Sequence, residues 1–165
     1  MSAITMIDDE TLNRWMESAL EIARVGTAKG ESPFGAVVVS GEGEIVAAEH
    51  NRVSSLLYPN AHAEVLAIQA ACAKIGRLDL SDCWLVATGE PCPMCSATAA
   101  IAGIARLAYG ASECVIKEVG YETLDLPAGE FFMSIDYKLE IRGGICRCDC
   151  EKLLREFPKL EPSHR

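Results

Sequence analysis

Apolar and polar residues follow two different periods along this chain. Near the start, apolar residues recur at three- and four-residue spacing, which is the pattern of one buried helix face. This spacing predicts a helix over residues 8–29, with Asp8 or Asp9 as its cap and Gly26 and Gly30 weakening its end. The apolar stripe consists of Leu12, Trp15, Met16, Ala19, Leu20, Ile22 and Ala23.

Short apolar segments rich in β-branched residues predict strands. The first two segments flank a turn that contains Gly41 and Gly43, so we expect them to form a hairpin. The third and fourth lie between predicted helices, and the fifth alternates between apolar and polar residues. The five predicted strands cover residues 34–39, 45–48, 83–88, 104–110 and 135–141.

Three further helices are predicted between and after these strands, over residues 61–75, 92–103 and 146–157. Residues 54–60 are expected to form a loop, and residues 112–134 a loop with one helical turn. Strands that alternate with helices indicate a layered α/β domain.

Composition supports a folded domain with a small substrate. The chain has 165 residues, of which 50% are hydrophobic and 24% charged, and this suits one domain with a sizeable core. The net charge is −9 and Lys and Arg are scattered, which weakens a nucleic-acid function without excluding it. A small, uncharged or weakly charged substrate fits this charge better.

The sequence pattern predicts neither a membrane-spanning helix nor a secretory signal. No apolar run reaches 18 residues, so no membrane-spanning helix is expected. The N-terminal residues are acidic and lack a basic region followed by an apolar one, so we expect a cytoplasmic location. In that compartment, the eight cysteines are expected to be reduced thiols or metal ligands.

Two short motifs carry the candidate chemistry: His62-Ala63-Glu64, and Cys92-Pro93-Met94-Cys95 preceded by Pro91. His62, Cys92 and Cys95 offer one nitrogen and two sulfurs, and a catalytic zinc site uses three such ligands and leaves the fourth position to water. Cys92 and Cys95 are three residues apart and project to one side of a helical turn. Both motifs lie at predicted helix starts, where the helix dipole stabilises thiolates.

Glu64 is two residues from His62 and is not expected to be a zinc ligand. It can reach the water on the metal, whose pKa zinc lowers toward about 7. Glu64 would then take a proton from that water and pass it to a ring nitrogen and to the departing amine. The expected products are an oxo-base and ammonia.

Other readings of the cysteines stay open from the residues alone. A C-x-x-C pair also occurs in redox sites and in structural zinc sites, and a structural site needs a fourth ligand such as His50, His164 or another thiol. Cys146, Cys148 and Cys150 are expected to be buried, inert thiols, with a second metal site as the alternative. The remaining cysteines, Cys72, Cys83 and Cys114, are expected to be core or partly buried thiols.

The two motifs, with residues 33–36 and Asn51, resemble the cytidine-deaminase-like superfamily of zinc deaminases, and most closely its bacterial guanine deaminases and tRNA-specific adenosine deaminases. The resemblance implies a three-layer α/β/α sandwich with a mixed five-stranded sheet, and one domain over residues 1–165. It also implies one Zn²⁺ per chain, and a homodimer or higher oligomer in which neighbouring subunits complete the pocket.

The resemblance also implies roles for individual residues. Asn51 matches an asparagine that hydrogen-bonds the base, and Phe34 matches a residue near the ring. The backbone of Ala63 and of Glu90 is implied to line the pocket. A further carboxylate after the fourth strand would assist proton transfer, for which the candidates are Glu113 and Glu118.

Different features of the sequence are similar to deaminases with different substrates. Phe34 before Gly35-Ala36 and Pro93 inside the cysteine pair are similar to the guanine deaminases, whereas the C-terminal helix is similar to the tRNA enzymes, and Gly89 departs from the usual pattern. We expect deamination of guanine first. The alternatives are tRNA adenosine, another amino-heterocycle or nucleoside of cytosine, triazine or pterin type, and a degenerate deaminase fold that only binds.

Overall fold

The computed structural model of the chain describes residues 7–159, in which five strands form one sheet. The strand order is β2-β1-β3-β4-β5, with β1 antiparallel to both β2 and β3, and β4 parallel to β3 and β5. The strands are β1 (Gly35–Val39), β2 (Ile45–His50), β3 (Trp84–Gly89), β4 (Arg106–Ala111) and β5 (Glu140–Gly143). The predicted mixed five-stranded sheet and the predicted β1–β2 hairpin are therefore confirmed.

Within the described residues, seven helices accompany the sheet. Asp8 caps the first of them by accepting a hydrogen bond from the Thr11 amide at 2.8 Å, as the sequence predicts. The helices are α1 (Asp9–Ala28), α2 (Val53–Leu56), α3 (Ala63–Ile75), α4 (Pro93–Ile101), α5 (Glu113–Glu118), α6 (Ala128–Ser134) and α7 (Arg147–Glu156).

The sheet separates two apolar clusters, because successive residues of a strand point to opposite faces. In β1, Val37 and Val39 pack with α1, α5 and α7 on one face, while Ala36 and Val38 pack with α3, α4 and α6 on the other. This confirms the three-layer α/β/α sandwich. No helix within residues 7–159 has the length and apolar character needed to cross a membrane.

Three segments differ from their predicted structure. Residues 54–60 were expected to be a loop, but the short helix α2 begins at Val53 because Glu31 accepts hydrogen bonds from the amides of Ser54 and Ser55, at 3.2 and 2.9 Å. Residues 112–134 contain two helices, α5 and α6, rather than one helical turn. The Glu90 carboxylate accepts hydrogen bonds from the first amide of each of these helices.

The fifth strand begins five residues later than its alternation predicts. Asp136 has a left-handed φ of 52° at the end of α6, which interrupts an extended segment. Tyr137 instead donates its backbone N–H to Phe132 and its hydroxyl to the Ile104 carbonyl, at 2.9 and 3.0 Å. Tyr137 and Leu139 therefore pack against the core from a turn, whereas Ile135, the first apolar residue of the alternation, is exposed.

Candidate active site

The two predicted ligand segments meet at the carboxyl end of β3, each at the start of a helix. His62 is the residue just before α3, and Cys92 is the residue just before α4, with extended backbone angles at both. Pro93 opens α4, where its missing N–H costs no helical hydrogen bond. Cys95 follows one turn later and is fully buried.

The three ligand atoms lie at distances that suit a tetrahedral zinc ion. The two sulfurs are 3.6 Å apart, and the His62 Nδ1 lies 3.7 Å from Cys92 Sγ and 3.5 Å from Cys95 Sγ. Bonds of about 2.3 Å to sulfur and 2.0 Å to nitrogen at tetrahedral angles require separations of about 3.8 Å between sulfurs and about 3.5 Å between nitrogen and sulfur. The residues therefore fit Zn²⁺ without rearrangement.

The thiol of Cys92 is prepared for a metal. Its hydrogen bond with Cys95 and its contact with His62 lower its pKa to about 4, although burial opposes this change. A thiolate is the form that ligates zinc. Among residues 7–159, no fourth His, Cys, Asp or Glu joins the group.

The alternative ligands do not reach the site within the part of the chain that is described. His50 is buried and its Nδ1 lies 2.7 Å from the Asn51 carbonyl oxygen, to which it donates, and His164 lies outside the described residues. Cys146, Cys148 and Cys150 form no metal-binding group there. Three protein ligands with an open fourth position are the arrangement of a catalytic zinc site rather than a structural one.

Glu64 lies in the first turn of α3 and lines the same cleft as His62 and Cys92, with only 7% of its surface exposed. Burial raises the pKa of its carboxyl group, and the neighbouring charge of His62 acts in the opposite direction. A carboxyl group transfers protons most efficiently when its pKa lies near the operating pH, and a raised pKa moves in that direction. This placement agrees with the proton-transfer role expected from the sequence.

A cleft of about 570 Å³ opens beside the metal-binding residues. Phe34 and Asn51 line it, as expected. The Asn51 backbone N–H donates to the Phe34 carbonyl at 3.0 Å, and its side-chain oxygen accepts from the Val53 N–H at 3.1 Å. The other lining residues, besides His62, Glu64 and Cys92, are Ser32, Val53, Pro59, Glu90, Pro91, Met94, Glu113, Ile116, Tyr121, Glu122, Thr123, Leu124 and Lys159.

Not every candidate residue reaches the cleft. Ala63 is fully buried and is absent from the cleft lining. Glu113 lines the cleft, whereas Glu118 is exposed on α5 and forms an ion pair with Arg155 at 3.1 Å. Of the two candidate second acids, the structure brings only Glu113 to the site.

Several lining residues were not found in the sequence. Tyr121 packs edge to face against Phe34, with ring centroids 5.1 Å apart, and Glu122 adds a second carboxylate to that side. Lys159 reaches the cleft because its N–H bonds the Val119 carbonyl at 3.0 Å. No local pattern marks these positions, apart from Tyr121 as an aromatic residue in a segment of weak periodicity.

The cysteines outside the site divide by burial. Cys83 and Cys150 are buried and Cys72 is partly buried, as expected. Cys146, which was expected to be buried, is only partly buried, and Cys114 and Cys148 are exposed. The expectation was wrong for these two because Cys114 lies on the outer side of α5, and Cys148 on the outer side of α7.

Comparison with known proteins identifies the family. The sequence pattern described as "Cytidine and deoxycytidylate deaminase zinc-binding region" matches residues 9–111, which span the sheet from β1 to β4 and all three ligands. The chain belongs to this zinc-binding deaminase family. Its relatives include tRNA-specific adenosine deaminases and a guanine deaminase, and the chain is accordingly a zinc-dependent hydrolytic deaminase.

Two kinds of deaminase are found among the relatives of this deaminase. A tRNA-specific adenosine deaminase from Rickettsia felis is 35% identical over 145 residues, which cover 87% of this chain and 98% of the relative. A guanine deaminase from Bacillus subtilis is 37% identical over 123 residues, which cover 70% of this chain and 78% of the relative. A solved chain in complex with 8-azaguanine has a TM-score of 0.82 and 30% identity, covering 88% of this chain and 82% of that chain.

Some relatives are longer than the region matched. The deaminase chain spans 24% of the tRNA(Ile)-lysidine synthase from Deinococcus radiodurans, with 35% identity over 147 residues. It spans 64% of a tRNA-specific adenosine deaminase from Aquifex aeolicus, with 41% identity over 97 residues. The chain therefore matches one part of these longer relatives. The relatives share the deaminase family, but their names give different substrates.

Proposed function

We propose that this deaminase hydrolyses the amino group of a free purine base, guanine first, to give xanthine and ammonia. The observation that carries the proposal is the cleft, in which the metal-binding residues and Glu64 face the same space as Phe34 and Asn51. A purine ring is flat, so Phe34 offers it an apolar contact. The Asn51 side-chain oxygen is taken by the Val53 N–H, which leaves the amide nitrogen to donate to a ring carbonyl.

The charge around the cleft supports a free base over a nucleic acid. Glu113 and Glu122 line the cleft, and Lys159 is the one Lys or Arg among its lining residues within the described part of the chain. The net charge of −9 has the same sign as a phosphate backbone. An uncharged base carries no phosphate for these carboxylates to repel.

In the proposed mechanism, His62, Cys92 and Cys95 would hold Zn²⁺, which would lower the pKa of a bound water toward about 7 and so supply the nucleophile. Glu64 accepts one proton of this water as its oxygen bonds to the amino-bearing carbon, and donates that proton to the neighbouring ring nitrogen. Glu64 then takes the second proton from the same oxygen and passes it to the amino group, which leaves as ammonia when the C–N bond breaks and the oxygen becomes a carbonyl. Phe34 and Asn51 hold the ring in place, and Glu113 is proposed to assist proton transfer on the opposite side.

A second candidate is deamination of adenosine in tRNA. It is favoured by the relative from Rickettsia felis, nearly all of whose length the chain matches, and by the helix α7 at the C-terminal end of the fold. This reaction would require a nucleotide to swing out of its stack into the cleft. Other free amino-heterocycles would need only a reshaped cleft around the same zinc and Glu64.

We also propose that the deaminase forms a homodimer. Leu56 ends α2, and Leu57 and Tyr58 follow it. The three are 51%, 86% and 61% exposed and form an apolar run, between the cleft-lining residues Val53 and Pro59, that a second subunit could cover. A mass of one chain in light scattering at micromolar concentration would contradict this proposal.

The function is tested by measuring ammonia release from free bases, nucleosides and an anticodon stem-loop, with zinc content measured in the same samples. We expect about one zinc per chain, and ammonia from guanine in equal amount to xanthine. Activity on the stem-loop alone would overturn the free-base proposal in favour of the tRNA reaction.

The role of Glu64 is tested by Glu64→Ala, with Glu17→Ala on the exposed face of α1 as the matched control. Glu64→Ala should keep its zinc and lose activity by at least about 100-fold, since positioned proton transfer contributes about that much or more. Retained zinc with unchanged ammonia release would rule out the mechanism. Glu17→Ala should match the wild-type protein in both measurements.

A further inference from the structure

Glu90 links the metal-binding loop to one entire wall of the cleft. It lies between the end of β3 and Pro91, two residues before the zinc ligand Cys92. Its Oε2 accepts a hydrogen bond from the Glu113 N–H at 2.8 Å, and its Oε1 accepts one from the Ala128 N–H at 2.9 Å. Both oxygens of a single carboxylate are therefore used by two backbone amides that are far from it in sequence.

These two amides are the two ends of the segment that forms the wall. Glu113 is the first residue of α5 and Ala128 is the first residue of α6. We call residues 113–128 the 113–128 wall. Its cleft-lining residues are Glu113, Ile116, Tyr121, Glu122, Thr123 and Leu124.

Packing and the sheet also hold the wall. At its ends, Ala128 is fully buried, and the Glu90 N–H bonds the Ala111 carbonyl at 2.8 Å, two residues before Glu113. Between the ends, Ile116 lies in the core, and Tyr121 packs against Phe34 and donates its hydroxyl to the Phe157 carbonyl at 2.7 Å. Much of the remainder is exposed, including Leu124 at 59%, and the ion pair between Lys117 and Asp125 lies within the wall itself. A hydrogen bond to a carboxylate is stronger and more directional than a neutral one. Among the described residues, Glu90 is the one whose side chain hydrogen-bonds the backbone at both ends of the wall.

We propose that Glu90 is a positioning residue for substrate selection: it fastens both ends of the 113–128 wall to the metal-binding loop and so fixes where the selecting side chains stand relative to the zinc. This inference rests on the proposed deamination of a base in the cleft. Its physical basis is that catalysis depends on holding the reacting ring in position, and a displacement of about 1 Å can cost about 100-fold.

Glu90→Gln tests the proposal, because glutamine has the same shape but only one acceptor oxygen. Its amide group would face one of the two backbone N–H groups, donor against donor. We expect faster hydrogen exchange, by about tenfold or more, at the Glu113 and Ala128 amides. We also expect a KM increased about tenfold or more, a smaller change in kcat, and a reduced preference between guanine and adenine, with the zinc content unchanged.

Two further variants make the test specific. Glu130→Gln removes the same charge from an exposed position in the first turn of α6 and should leave exchange, KM and the base preference unchanged. Glu90→Asp keeps the charge but is one methylene shorter, so it cannot span both amides and should resemble Glu90→Gln. It also provides a reading if Glu90→Gln does not fold.

The outcomes separate this inference from the proposed function. Wild-type exchange at both amides in Glu90→Gln, or full restoration of exchange and KM by Glu90→Asp, would overturn the positioning role. Loss of zinc with unchanged exchange at the two amides would also overturn it, because Glu90 would then act on the metal loop alone. Faster exchange at both amides supports the positioning role whichever base the wild-type protein deaminates, since hydrogen exchange needs no substrate.

Discussion

Replacing Glu31 by glutamine should destabilise the protein by weakening the start of α2, a helix beside the cleft that contains no metal ligand. Glu31 is only 6% exposed, and its two carboxylate oxygens accept hydrogen bonds from the Ser55 and Ser54 amides at 2.9 and 3.2 Å. These amides open α2, whose first residue Val53 lines the cleft and bonds to Asn51. Glutamine keeps one acceptor oxygen and places an NH₂ group against the other amide.

The size of the effect follows from the bonds that are lost. A hydrogen bond to a charged group contributes about 1.5–3 kcal/mol, so the loss of one and the weakening of the other should reduce the free energy of unfolding by about 2 kcal/mol. For a chain of this size, each kcal/mol lowers Tm by about 2–4 °C, which gives a decrease of about 4–8 °C.

The effect should depend on pH. Burial alone would raise the pKa of Glu31, but the hydrogen bonds from Ser55 and Ser54 and the charge of His50 outweigh burial, so its pKa in the folded state lies below the usual value. The stabilisation is then fully present above the pKa of the unfolded chain, about 4.3, and is lost as the pH falls through the folded-state pKa. The stability difference between wild type and Glu31→Gln should shrink below about pH 4.

Urea denaturation at several pH values between 3 and 7 measures this difference, with Glu21→Gln on the exposed face of α1 as the control. The control should change the free energy of unfolding by less than about 0.5 kcal/mol. If Glu31→Gln were as stable as the control at pH 7, or if its deficit were the same at pH 3 and pH 7, the assigned hydrogen bonds would not have the strength argued for them.

Two further results are expected. Gly89→Ala would place a methyl group 3.0 Å from Ile116 Cδ1 and 3.1 Å from Phe34 Cε1, so the Phe34 ring must shift by a few tenths of an ångström. Steady-state kinetics should show KM raised several-fold with a smaller change in kcat. An unchanged KM would mean that Phe34 does not contact the base. Burial raises the pKa of the Cys150 thiol to about 12, while Cys148 is exposed. Iodoacetamide at pH 8 should therefore modify Cys148 and spare Cys150, which peptide mapping measures. Equal rates of modification at the two cysteines would contradict the burial of Cys150.

The chemistry of the site could be predicted because it depends on residues that are close in sequence. His62 and Glu64 are two residues apart, Cys92 and Cys95 three apart, and each pair lies at the start of a helix that the sequence predicts. The four long strands and four of the helices could be found for the same reason, since their sequence patterns are local.

The walls of the cleft could not be predicted because long-range pairs define them. Glu31 acts 23 and 24 residues away, and Glu90 acts 23 and 38 residues away, so nothing near α2, α5 or α6 shows why these short helices begin where they do. The alternation before Glu140 led to a wrong strand boundary, because a turn that partly buries Tyr137 produces the same pattern as a strand. Under the proposed function, substrate choice depends on these walls, and the two motifs therefore identify the reaction better than the base.

The metal-binding residues and Glu64 lie on one side of the sheet, so the helices on the other side can be modified without touching them. All three zinc ligands and Glu64 sit on or just before α3 and α4, whereas α1 and α7 pack on the opposite face and supply none of them. A fluorescent label, an affinity handle or a surface-attachment point placed on the outer side of α1 should therefore leave turnover intact. The outer side of α1 is therefore a suitable position for attaching the enzyme to a surface.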